Sequence, residues 1–174
     1  MKYSHNKAIN LTPRAAALKL TMKELKFENL DLNNDEDVLA VAKVHCAAPG
    51  EWNSDHSYSE ECVARALDDL RNSVHGCHVV LVRSQENELV GMHWVKLEAR
   101  SDRTFGNVVS LWVHRDHRRQ GVATRLKELV EIWLRSNGAS EIRTHVYMEN
   151  SKMLALNQKL GYKAVLVGMA KDLK

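Results

Sequence analysis

The sequence predicts a single layered α/β domain, a mixed and mostly antiparallel sheet with helices packed on it. Three observations carry this. The chain has 174 residues, a length that suits one compact domain with a real core. Its apolar pattern alternates between strand-like and helix-like periods in the order β-α-α-β-β-β-α-β-α-β, with no linker, repeat or low-complexity stretch. One of those strands runs straight into a basic, glycine-containing turn that opens the clearest helix.

Residues 1–24 read as an N-terminal extension and 25–174 as the domain. In the extension, Thr12 caps a short helix with Pro13 at its first position. Leu25 to Leu30 alternates as a first strand. After the acidic turn Asp31 to Asp35, Leu39, Ala42 and Cys46 fall on one stripe of a helix over Glu36 to Ala47 that stops at Pro49-Gly50. Ser57 and Glu60 match a capping box for a second helix, with Val63, Leu67, Leu70 and Val74 as its buried face.

Cys77 to Arg83 and Leu89 to Leu97 read as antiparallel strands joined by the turn Ser84 to Glu88. A polar break over Ala99 to Gly106 separates them from the strand Val108 to His114. Leu126, Leu129, Val130 and Trp133 recur on one face of the helix that follows, and Asn137-Gly138 supplies its left-handed stop. Ile142 to Tyr147 is then a strand, Ser151 to Leu160 a helix ended by Gly161, and Tyr162 to Met169 a last strand.

Composition excludes more than it identifies. With 25 basic and 22 acidic residues and a net charge of +3, nothing demands a nucleic acid or a membrane as partner. No apolar run approaches the roughly 20 residues that cross a bilayer. The polar stretch Met1 to Asn10 lacks a signal core, so a cytoplasmic protein is expected. Cys46, Cys62 and Cys77 are odd in number and widely spaced, which predicts free thiols. The nine histidines show no HxH or HExxH spacing, so no metal is expected.

The turn after Val113 is built for an anion. A helix start leaves backbone N–H groups unpaired and concentrates about half a positive charge. Gly121 lets the backbone approach phosphate oxygens, and Ala123 keeps the next turn thin. The pattern is neither a P-loop nor a three-glycine dinucleotide fingerprint.

From Val108 to Tyr162 the chain resembles the GNAT superfamily of acyl-CoA-dependent N-acyltransferases. The strand end Leu111-Trp112-Val113-His114, the run Arg118-Arg119-Gln120-Gly121-Val122-Ala123 matching (Gln/Arg)-x-x-Gly-x-(Gly/Ala), and Asn150 followed by Asn157 to Tyr162 carry the resemblance. It implies splayed central strands with acetyl-CoA in the gap. Backbone groups of Leu111 to Val113 would pair with the pantetheine amides, and amides from Arg119 to Thr124 would hold the pyrophosphate. Thr124 would add a hydroxyl, Arg118 a charge, and Asn150 a contact to the pantetheine arm. Dimers are frequent in the family, so a homodimer is compatible with the resemblance.

Direct attack of an amine on the thioester needs an oxyanion donor and routes for protons. The resemblance puts the oxyanion donor at a backbone N–H near Val113. Where many relatives carry a proton-donating tyrosine this chain has Asn157, whose amide does not titrate but can hydrogen-bond. Tyr147 is the candidate acid. Glu98 is the first candidate base, with His93, His145 and Glu149 behind it. The acceptor is expected to lie against Pro49 to Tyr58 and Glu98 to Asn107, with Trp52 and Tyr58 as an aromatic wall and Glu51, Asp55, Glu60 and Glu61 attracting a small cationic amine. Acetylation of a protein N-terminus or lysine, and a non-catalytic acyl-CoA sensor, are the alternatives.

Overall fold

The computed structural model describes residues 24–73, 76–100 and 103–173; the helix expected after Thr12 and the residue Val74 lie outside them. The strands are β1 (Lys26–Asn29), β2 (Cys77–Arg83), β3 (Leu89–Arg100), β4 (Arg103–Val113) and β5 (Glu141–Arg143). The helices are α1 (Asp35–Ala47), α2 (Glu60–Arg71), α3 (Val122–Ser136) and α4 (Ser151–Lys159), with short 3-10 turns at Ala48–Glu51 and Arg115–His117. The sheet runs β1-β2-β3-β4-β5, antiparallel from β1 to β4 and parallel between β4 and β5. This is the mixed, mostly antiparallel architecture that the pattern predicts.

Alternation along β2 and β3 splits the core between two faces. Val79, Leu81, Met92 and Trp94 meet Val38, Val41 and Ala42 of α1 and Val63, Ala66 and Leu70 of α2. Val80, Val82 and Val95, together with Val113 of β4, meet Val122, Leu126, Val130 and Leu134 of α3. Each fully buried aliphatic side chain here contributes about 1.5–3 kcal/mol of transfer free energy. Gly106 lets α3 close on β4, because a Cβ there would stand 2.5 Å from the buried Leu134 side chain.

Several local expectations are corrected. The buried stripe of α1 is Val38, Val41, Ala42 and Cys46, and Leu39 is exposed. The cap of α2 is Ser59, not Ser57; its extended backbone points the hydroxyl at the Cys62 amide. Ala99 and Arg100 belong to β3, and Arg103 to Gly106 to β4. β3 and β4 pair from Gly91↔Val113 out to Arg100↔Arg103, since a ladder satisfies the backbone whatever the side chains are. The strand expected over Ile142 to Tyr147 shrinks to Glu141–Arg143, and Tyr162 to Met169 forms no strand. A three-residue β5 offers too short an edge to template another strand, and Val165, Leu166, Val167 and Met169 stand exposed.

The free-thiol expectation also fails. Cys46 at the end of α1 and Cys62 at the start of α2 form a disulfide with Cα atoms 6.0 Å apart, leaving Cys77 as the free cysteine. Sixteen residues separate the pair, so only the packing of α1 on α2 brings them together. Among the described residues no helix is long and apolar enough to cross a membrane.

Candidate active site

β4 has two neighbours but keeps only one along its full length. Its register with β3 shifts between Trp94↔Ser110 and Val95↔Val108, so Val109 is an extra, bulged residue. A bulge bends its strand and increases local twist. On the other side, β5 pairs with Phe105, Gly106 and Asn107 only. From Val108 to Val113 that edge of β4 has no strand partner among the described residues, and the expected splay is present.

The open edge leads into the basic turn. Arg118 is extended, Arg119 lies in the left-handed region at φ 63°, and Gly121 follows at φ 89°. The alternation turns successive backbone amides toward one concave side, the arrangement that holds anions. Among the described residues the amides of Arg119 to Thr124 find no acceptor, the first N–H of α3 to do so being that of Arg125, bonded to the Gly121 carbonyl. α1, α2 and α4 are each capped by a side chain, whereas α3, whose N-cap is Gly121, has none. A Cβ on Gly121 would meet nothing within 4 Å, so the space in front of the turn is open.

Side chains from distant segments gather around this opening. Glu98 of β3 accepts a 2.7 Å hydrogen bond from Asn107 Nδ2, and Asn107 is the last β4 residue paired with β5. The Glu98 carboxylate therefore sits at the apex of the splay. The Trp52 and Tyr147 rings meet at a 40° tilt with centroids 5.0 Å apart, joining the loop after α1 to the segment after β5. Tyr58 does not join them: it is exposed, and its hydroxyl donates to Glu60 at 3.2 Å.

Glu51 is fully engaged. Its Oε1 accepts from Trp112 Nε1 at 3.0 Å and its Oε2 from Arg118 Nη2. Burial pulls its carboxyl upward, but the hydrogen bonds from Arg118 and Trp112 and the Arg118 charge outweigh this and hold it below the usual carboxylate range. Arg118 Nε donates to the Val113 carbonyl at 2.7 Å. The charge expected on the phosphates is thus turned toward Glu51 and the end of β4. Glu51, His114, Arg115 and Arg118 line a cavity of 460 Å³.

Asn150 spends its Oδ1 capping the amide of Met153 at 3.2 Å. Asn157 is buried, and its Oδ1 has no partner among the described residues. The Thr124 hydroxyl makes no hydrogen bond among the described residues. His145 and Glu149 are exposed on the segment that leaves β5. His93 is excluded as a base. It lies fully buried beneath α3 with Nδ1 3.4 Å from the Leu126 carbonyl, and burial, followed by the charge of Lys127, pushes its pKa down to about 3.

A split sheet beside an uncapped helix start is an arrangement that can hold an extended ligand with an anionic end. A family model described as Acetyltransferase (GNAT) family matches residues 41–162, and the chain belongs to that family of acetyl-CoA-dependent acetyltransferases. No curated protein sequence matches. Among solved structures, a Trypanosoma brucei acetyltransferase aligns with TM-score 0.61 at 20% identity, covering 86% of this chain and 99% of that one. An aminoglycoside acetyltransferase from an uncultured soil metagenomic sample, in complex with trehalose, gives TM-score 0.67 at 17% identity over 87% and 98% of the two chains. Glucosamine-6-phosphate N-acetyltransferase from Arabidopsis thaliana gives 0.61 at 14% over 86% and 99%. At these identities the likeness is one of fold.

Proposed function

We propose that the protein transfers an acetyl group from acetyl-CoA to the primary amine of a small molecule by direct attack. The observation that carries this reading is the free β4 edge leading into unpaired amides at Arg119 to Thr124, where Gly121 leaves open space. The donor set fits the cofactor: an anion-binding turn for the pyrophosphate, strand amides and carbonyls for the pantetheine amides, and an orphaned buried amide at Asn157. Acetyl-CoA supplies the acetyl group in activated form, as a thioester.

In this reading Arg119, Gln120, Gly121, Val122, Ala123 and Thr124 bind phosphate through their backbone, with the Thr124 hydroxyl beside them. Leu111, Trp112 and Val113 orient the pantetheine arm, joined by Asn150 through its Nδ2, and the Val113 N–H is the donor toward developing oxyanion charge. Asn157 hydrogen-bonds near the sulfur. Glu98 at the apex of the splay accepts the amine proton through water, and Asn107 fixes its orientation. Tyr147 donates a proton to the departing sulfur. Trp52, in ring contact with Tyr147, forms the apolar side of the acceptor site, and Tyr58 its outer rim.

A small amine is favoured because the Trp52–Tyr147 ring pair joins the loop after α1 to the segment after β5. Two structural relatives have names that refer to aminoglycoside and glucosamine-6-phosphate acetylation. The absence of a tyrosine at Asn157 favours a second reading, a sensor that binds acyl-CoA without turnover.

The test is CoA release from acetyl-CoA over a panel of aminosugars, polyamines and amino acids. Turnover is expected with at least one, falling by on the order of 100-fold in Glu98→Gln and in Tyr147→Phe. Tight acetyl-CoA binding with no turnover across the panel, including peptide amines, would favour the sensor.

A further inference from the structure

We infer that the Arg118 guanidinium serves the acceptor loop and the end of β4, not the cofactor phosphates, and that Glu51 is the positioning residue that holds it there. The inference rests on the cofactor site proposed above and adds a coupling between that site and the loop.

Two of the five N–H groups of the guanidinium have acceptors within the chain. Nε donates to the Val113 carbonyl at 2.7 Å and Nη2 to Glu51. An Arg fork is planar and rigid, so these two contacts fix its plane. The next residue, Arg119, lies in the left-handed region at φ 63° and opens the run of unpaired amides. The carboxylate of Glu51 is equally committed, one oxygen to Arg118 and the other to the Trp112 indole at 3.0 Å.

Glu51 closes the 3-10 turn Ala48–Glu51, and the ring of the next residue, Trp52, meets that of Tyr147 beyond β5. Two consecutive residues of one loop therefore touch opposite walls of the opening. The Cys46–Cys62 disulfide ties that loop at its base. A hydrogen-bonded path runs from the loop through Glu51 and Arg118 to the first residue of the phosphate turn and to the carbonyl of Val113. Occupancy of the turn by a pyrophosphate and placement of the loop are thereby linked, and the linkage acts equally in both directions.

The experiment titrates acetyl-CoA into wild type, Glu51→Gln, Arg118→Gln and the double variant, with amide hydrogen exchange of residues 47–59 recorded on the same four proteins. Each single variant is expected to weaken binding by on the order of fivefold, the scale of a partly exposed ion pair. The double variant is expected to be no weaker than the weaker single one, and loop exchange to speed up in all three. Glu51→Asp is expected to recover part of the loss. A far larger loss in Arg118→Gln than in Glu51→Gln, with additive effects, would overturn the proposal, because Arg118 would then contact phosphate itself. Unchanged affinity and loop exchange in Glu51→Gln would also overturn it. If wild type binds no acetyl-CoA, the proposed function fails, while loop exchange still decides the tie: faster in both single variants supports it, and unchanged refutes it.

Discussion

Lys127 is 2% exposed, and its Nζ donates to the Tyr162 hydroxyl at 3.4 Å and lies 4.4 Å from the centre of that ring. Burial lowers its pKa from 10.5 to about 8, with the charge of Glu131 opposing. That shift corresponds to roughly 3 kcal/mol of folding free energy. The folded value is depressed, so the unfolded chain holds the proton more tightly. The penalty is full below about pH 8 and fades as the pH rises toward 10.5. Lys127→Met is therefore expected to stabilise the protein by up to about 3 kcal/mol at pH 7, with the gain shrinking at pH 10, as read by urea unfolding. An equal gain at both pH values, or none, would refute this account. The sequence gives no warning of it, since a lysine inside an amphipathic helix reads as a solvated one.

At the scale of elements, helices were the more legible features, because their signals are local. The stop read at Asn137-Gly138 stands, with Gly138 at φ 78° after the end of α3, and the α2 cap falls at Ser59, two residues from the Ser57 expected. Strand ends were less legible. Whether Ala99 or Thr104 extends a strand depends on a partner in the next segment, and a strand over Tyr162 to Met169 needs an edge that three-residue β5 does not offer. The pairing of Cys46 with Cys62 likewise depends on helix packing. This disulfide closes a loop with a sequence separation of 16, for which the chain-entropy model gives about 3 kcal/mol. Reduction, or Cys62→Ser, is expected to lower Tm by on the order of 10 °C. Thiol titration of the denatured, unreduced protein should find one free cysteine, Cys77; finding three thiols, with Tm unmoved by reductant, would contradict the pairing.

For the whole molecule, the turn proposed to hold phosphate was readable as a left-handed turn and a helix start, because Gly121 and its neighbours within one short run carry that conformation. The side-chain contacts around the opening were not readable to the same degree. Glu51 and Arg118 lie 67 residues apart, and Asn107 meets Glu98 only across the β3–β4 ladder. Such contacts follow from topology, which the spacing of residue types does not encode. The same topology sets Trp52 against Tyr147, so the two walls of the opening come from segments with no sequence relation.

The central claim is that the turn at Gly121 holds the phosphates of acetyl-CoA, and calorimetric titration of acetyl-CoA into wild type and Gly121→Glu tests it most directly. A glutamate there adds a side chain where the described structure leaves open space, brings negative charge to the anion site, and strains a backbone at φ 89°. The account predicts saturable binding by wild type and its loss in a Gly121→Glu variant that keeps a native circular dichroism spectrum. Equal binding by both proteins would contradict the phosphate site, and no binding by wild type would contradict the assignment of acetyl-CoA as co-substrate.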